Sequence, residues 1–176
     1  PQLQPARPAK VETGWIRKRA FRVPRLAAKY PDEMFTIYVP PDYTPSQAYG
    51  LVFFLHGGGK GQPRDSGDKV FESYGINDLL EESGRIVCFP CSPPSSRSFA
   101  AWNQAAVDEY LADVIEELES AYNLNPHNMI LGGHSMGGIG AYHLAQRFPD
   151  RFHSFFSSAG SWDFGCWSAL TGTTMW

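Results

Sequence analysis

The stretch Asn125–Phe152, NPHNMILGGHSMGGIGAYHLAQRFPDRF, decides the fold. It opens with a turn, NPHN, followed by a short apolar strand at Met129–Leu131. A helix then runs from Met136 to Phe148 and stops before Pro149, which cannot continue it. Between strand and helix stands Gly133-His134-Ser135-Met136-Gly137, a match to G-x-S-x-G in the strand–turn–helix setting that gives the pattern meaning. A strand that turns this sharply into a helix strains the serine backbone and exposes its hydroxyl. Glycine is required two residues before and two after, because a Cβ there would strike neighbouring backbone. The competing readings are a flexible glycine-rich loop or a phosphate loop. A phosphate loop wants a Lys or Arg beside it, and none lies between 128 and 146. Ser135 therefore reads as a nucleophile.

Upstream, the run LVFFL at 51–55 is bounded by glycines and reads as a strand buried on both faces. His56-Gly57-Gly58-Gly59 follows it directly. Attack on an acyl carbonyl leaves negative charge on oxygen, which preorganised backbone N–H groups can bind. One donor is the N–H of Met136, at the start of a helix whose dipole assists. The second is assigned to the HGGG loop, with Gly58 first and Gly59 second, since backbone must come close to substrate there. His56 is read as a structural group that holds the loop.

The rest of the chain supplies a frame for these two motifs. Strands are expected at 15–23, 33–39, 51–55, 86–89 and 152–158, with a loop through Pro24 and Pro31 between the first two. A helix is expected from about Asp68 to Ser83, with Ile76, Leu79 and Leu80 on one face and Gly84 as its C-cap. The clearest helix spans about 104–122. Its apolar residues Val107, Tyr110, Leu111, Val114, Ile115 and Leu118 recur at helical spacing, and its acidic residues occupy the other face. Strands alternating with helices imply a mostly parallel sheet covered on both faces, with the site at the carboxyl ends of the strands.

Composition narrows the function classes. The 176 residues are 43% hydrophobic and 19% charged, enough for one domain with a substantial core and unlike a disordered or fibrous chain. Residues 1–14, beginning PQLQPARPAK, read as an irregular leader or linker, and 15–176 as the domain. No stretch approaches the ~20 apolar residues of a membrane span, so a soluble protein with no membrane partner is expected. The net charge of −3 argues against a nucleic-acid partner. Residues 1–30 nevertheless hold eight basic side chains and one acidic one, the remainder seven basic and seventeen acidic. Arg17, Lys18, Arg19, Arg22 and Arg25 read as a solvated edge hairpin that resists edge-to-edge pairing, or as a phosphate-binding arm. Cys88 and Cys91 form a C-x-x-C within a strand, too far apart for a disulfide. With only Cys166 besides, no zinc site is expected. The compartment stays open, with a lean towards secreted or periplasmic.

The pair LHGGG and GHSMGG, behind a leading hairpin, resembles the α/β-hydrolases, whose fold is a three-layer sandwich around a mostly parallel sheet. Within them the chain looks like the esterase and feruloyl-esterase-like group, related to polyhydroxybutyrate depolymerases, over roughly residues 15–163. The resemblance implies a serine carboxylic-ester hydrolase working through a Ser135 acyl-enzyme, with no cofactor and no metal. It also implies a small-molecule or carbohydrate-linked ester as substrate, with feruloyl or acetyl esters favoured. Trp102 and Trp162 are then candidates to line the pocket, or to pack a lid.

The resemblance further implies an acid and then a histidine after the nucleophile. The chain reads as truncated after its sixth strand, with Asp163 as the one candidate acid. None of His56, His127, His134, His143 or His153 is well placed as a base. A partner copy or missing chain could complete the site. The alternative is a catalytically incomplete relative that serves as a binding or assembly module. Left unpaired, the sixth strand, FHSFFSS, would invite self-association.

Overall fold

The structure, a computed structural model, describes residues 11–58, 75, 77–91, 101–160 and 174–175. Seven strands form one sheet in the order β1-β2-β4-β3-β5-β6-β7. They are β1 (Gly14–Ala20), β2 (Met34–Val39), β3 (Tyr49–Leu55), β4 (Ile86–Pro90), β5 (Leu124–His134), β6 (Ser154–Ser158) and β7 (Thr174–Met175). The first two join antiparallel, β1 to β2 and β2 to β4, and from β4 onward every described pairing is parallel.

Parallel strands need crossovers, and right-handed crossovers fix which face each helix takes. Helix α3 (Ala105–Ala121) carries the chain from β4 to β5, and α4 (Met136–Arg147) carries it from β5 to β6. Both steps run in one direction and both helices lie on one face. There Val107, Leu111, Val114, Leu118 and Leu144 bury Ile37, Leu51, Phe53, Cys88, Leu131 and Phe155. The step from β3 to β4 runs the other way. Its helix α2 (Asn77–Glu82) puts Leu80 on the opposite face, against the layer of Tyr38, Val52, Phe54, Val87 and Phe89. The α/β architecture expected from the sequence is thus present, with strand ends and helix starts gathered where the two glycine motifs lie.

Four details depart from the expectations. Residues 24–29 form a helix, α1 (Pro24–Lys29), because Pro24 falls at its first turn, where a fixed φ and a missing N–H cost nothing. β5 extends back to Leu124: Tyr49 pairs with Leu124 and Leu51 with Met129, so the NPHN turn is an excursion inside a strand rather than its boundary. Leu79 is 68% exposed, because only Leu80 of the pair points at the sheet. The sixth strand is not a bare edge: Ser154 and Phe155 pair with Thr174 and Met175 of β7. Residues 68–74 and 76 of the anticipated helix lie outside the described residues.

The acidic face of α3 is the largest surprise, since Asp113 and Glu117 are buried at 7% and 0% exposure. The basic end of the chain accounts for them. Glu117 accepts from Arg19 Nη2 at 2.8 Å and from the backbone N–H groups of Arg22 (3.0 Å) and Val23 (2.8 Å). Arg19 also lies over the Phe35 ring, 5.1 Å from its centroid. Asp113 accepts from Lys29 Nζ at 2.6 Å and Tyr30 Oη at 2.7 Å. Arg25 pairs with Glu116, and Arg22 with Glu12 at 2.9 Å. Arg19, Arg22, Arg25 and Lys29 thus dock the N-terminal hairpin and α1 on α3, while Arg17 and Lys18 are exposed.

Cys88 and Cys91 are free and buried, and burial pushes the Cys88 thiol well above its ordinary pKa. Among the described residues no cluster of metal-ligating side chains exists, and no helix is long and apolar enough to cross a membrane.

Candidate active site

Ser135 stands between the last residue of β5 and the first of α4, at φ 52° and ψ −116°. A positive φ is costly for any residue but glycine, so the surroundings must hold it there. Two glycines make the turn possible by close approach. A Cβ on Gly133 would lie 2.3 Å from the Gly137 carbonyl carbon and oxygen, and one on Gly137 would lie 2.0 Å from the Leu55 oxygen. The steric rule read from the sequence is therefore met by backbone atoms on both sides, which cannot swing away as a side chain could.

Hydrogen bonds secure the turn from both ends. The Ser135 carbonyl accepts from Ile139 N–H at 3.1 Å, the first bond of α4. The Ser135 N–H donates to the Ser158 carbonyl at the end of β6, at 2.7 Å. Ser158 Oγ also lies 3.2 Å from His134 Nδ1. The turn after β6 is strained in its own right, with Ala159 at φ 53°. It nests into the elbow so tightly that a Cβ on Gly160 would come within 2.7 Å of the Ser135 oxygen. Sequence reasoning missed this second turn. Its signal was the run of small residues Ser157-Ser158-Ala159-Gly160.

The loop after β3 reaches the same place. The position of a Cβ on Gly57 is 3.0 Å from the His134 oxygen and 3.3 Å from Ser135 Cβ. Gly58 follows at φ 120°, a conformation that side-chain-bearing residues avoid. Met136 is residue N1 of α4, one of the helix positions whose N–H has no intrahelical acceptor. The structure thus gathers Ser135, Met136 and the Gly57–Gly58 segment, while Gly59 lies outside the described residues.

The histidines separate clearly. His56 is 1% exposed and its Nδ1 is 2.9 Å from the Gly57 carbonyl. A carbonyl only accepts, so that nitrogen carries the proton. His143 lies eight residues along α4, roughly 12 Å of helix from Ser135, and meets Asp108 Oδ1 at 2.9 Å. His153 donates its backbone N–H to Met129, six residues of strand, or about 20 Å, below the nucleophile. His127 is farther still. Trp102, a candidate to line the pocket or to pack a lid, is 1% exposed, with Nε1 2.8 Å from the His56 carbonyl. Trp162 and Asp163 fall outside the described residues.

Comparison with known proteins shows the family and the fold. The family model Esterase, described as "Putative esterase", matches residues 31–176. A bifunctional acetylxylan esterase/xylanase of Neocallimastix patriciarum is 23% identical over 131 residues, covering 73% of this chain and 18% of that protein. A thermostable esterase aligns with TM-score 0.68 and 24% identity, over 81% of this chain and 41% of that one. The ferulic acid esterase of Anaeromyces mucronatus aligns with TM-score 0.53 and 17% identity, over 88% of this chain and 62% of that one. The chain therefore spans less than two thirds of each of these relatives.

Proposed function

The chain belongs to this esterase family, and from that premise we propose that it acts as a serine carboxylic-ester hydrolase with Ser135 as nucleophile. One observation carries the reading: a strained serine at a strand–helix elbow, closed by Gly133 and Gly137 and flanked by the Gly57–Gly58 backbone. Maintaining such a turn costs of order 1–3 kcal/mol, and acyl transfer is the chemistry it suits.

In this mechanism Ser135 Oγ attacks the ester carbonyl carbon, and the carbonyl oxygen becomes an oxyanion. The N–H groups of Met136 and Gly58 receive that charge, aided by the positive end of α4. Collapse expels the alcohol, which takes up the proton lost by the serine, and leaves an acyl-enzyme. Water then attacks the acyl group and releases the acid and the free hydroxyl. A base must carry the proton in both halves. His56, His134 and His143 are engaged elsewhere and His127 and His153 are remote; these are all five histidines of the sequence, so we assign the base to a partner copy or to chain not present in this sequence. Asp163 is the candidate acid. Feruloyl or acetyl esters on carbohydrate are the proposed substrate class, on the strength of the relatives' names.

The test is labelling by a fluorophosphonate, read by intact mass, on wild type and Ser135→Ala. Labelling that the substitution abolishes supports an activated serine. A folded protein that takes no label overturns it. That result would favour a second reading, a binding or assembly module that keeps the elbow without a base, which the placement of His127, His143 and His153 also favours.

A further inference from the structure

We propose that Trp102 is a positioning residue for the oxyanion loop, holding the His56 carbonyl and through it the Gly57–Gly58 backbone against Ser135. The proposal rests on the esterase reading for what the loop does, and on geometry for who holds it. Trp102 sits in a single 3₁₀ turn, Ala101–Asn103, just before α3. Its indole N–H donates to the His56 carbonyl across 46 residues of sequence, at 2.8 Å. Its ring meets the His56 imidazole edge-on, with centroids 5.0 Å apart and planes at 68°.

The wedge is built for that contact. A Cβ on Gly140 of α4 would fall 2.1 Å from Trp102 Cβ, so the indole lies where only a glycine leaves room. On the other side, a Cβ on Gly137 would meet the Leu55 oxygen at 2.0 Å and the His56 oxygen at 2.9 Å. The Leu55–His56 backbone is thus gripped between the start of α4 and the indole. The next carbonyl, of Gly57, is held by the protonated Nδ1 of the buried His56 ring. Gly58 therefore leaves a backbone whose two preceding carbonyls are both tied down. An oxyanion donor is effective only when it is preorganised, because a mobile N–H must be ordered during the reaction. Removing the indole donor frees the first tie.

Three substitutions separate positioning from packing. Trp102→Phe removes the donor and part of the volume. Benzothienylalanine at 102 keeps both rings and places sulfur where the N–H was, while 7-azatryptophan keeps the N–H as a rescue. Hydrogen exchange of peptides covering 52–58 is expected to quicken about 10-fold in the first two, with the strand peptides of β2 and β4 unchanged. Fluorophosphonate labelling of Ser135 is expected to slow about 10-fold or more, with azatryptophan restoring both. Unchanged exchange at 56–58, or acceleration spread evenly over the chain, overturns the proposal. So does faster loop exchange with an unaltered labelling rate. If the wild type takes no label, the esterase reading fails on its own and the positioning of a catalytic loop falls with it.

Discussion

Replacing Ser135 by glycine and by alanine measures the strain stored at the elbow. At φ 52° and ψ −116°, a residue with a Cβ sits in a region that costs of order 1–3 kcal/mol. Alanine keeps that cost and removes only the hydroxyl. Glycine removes the cost, but its freer unfolded chain takes back roughly 0.5–1 kcal/mol. The close approaches at Gly133, Gly137 and Gly160 are the same in both variants and drop out of the comparison. Ser135→Gly is therefore expected to be about 1–2 kcal/mol more stable than Ser135→Ala. That corresponds to a Tm roughly 2–8 °C higher for a domain of this size. Urea unfolding of the two variants, with equal slopes, is the assay. A glycine variant no more stable than the alanine one would refute the claim that the backbone is strained here. Neither variant should take a fluorophosphonate label.

Other expectations are independent of the elbow. Glu117→Ala should cost at least 3 kcal/mol in urea unfolding, since it strands a buried Arg19 charge and two backbone donors; a loss under 1 kcal/mol would contradict the role given to that carboxylate. Burial opposes ionisation of Asp113, but the bonds from Lys29 and Tyr30 outweigh it and hold its pKa below the usual value. A depressed carboxylate stabilises above its unfolded pKa and loses that contribution as pH falls through the folded one. Asp113→Asn should thus cost about 1–2 kcal/mol at pH 7, with the gap to wild type closing below about pH 4; a gap constant down to pH 2 counts against it. Gly137→Ala puts a methyl 2.0 Å from the Leu55 oxygen and should cost more than ~3 kcal/mol, readable as a fall in the urea midpoint.

Those parts of the fold that follow from local periodicity were legible in the sequence. The apolar positions of α3 and the buried runs of β3 and β4 lie where the pattern put them, because the helix faces one packed layer and each of these strands is covered on both faces. The elbow was legible for a different reason, since glycine at two fixed offsets has few other uses. What escaped were long-range pairings. Asp113 and Glu117 look solvated on a helical wheel, and only the arrival of Arg19 and Lys29 from some 80 to 100 residues away makes their burial affordable. Trp102 escaped likewise: an aromatic in a loop near a site suggests a pocket wall, and nothing local shows its N–H reaching the His56 carbonyl. The two-residue β7 is too short to carry a pattern.

The docking of the N-terminal hairpin also bears on where this unit can be cut. The family match begins at residue 31, which invites trimming everything before it. Yet Arg19, Arg22 and Val23 lie before that point and supply every described partner of the Glu117 carboxylate. A version starting at residue 31 would also lose β1 and all of α1, baring β2 as a new sheet edge. Expression boundaries should therefore be set upstream of Gly14, and transplanted hybrids should carry the hairpin and α3 together.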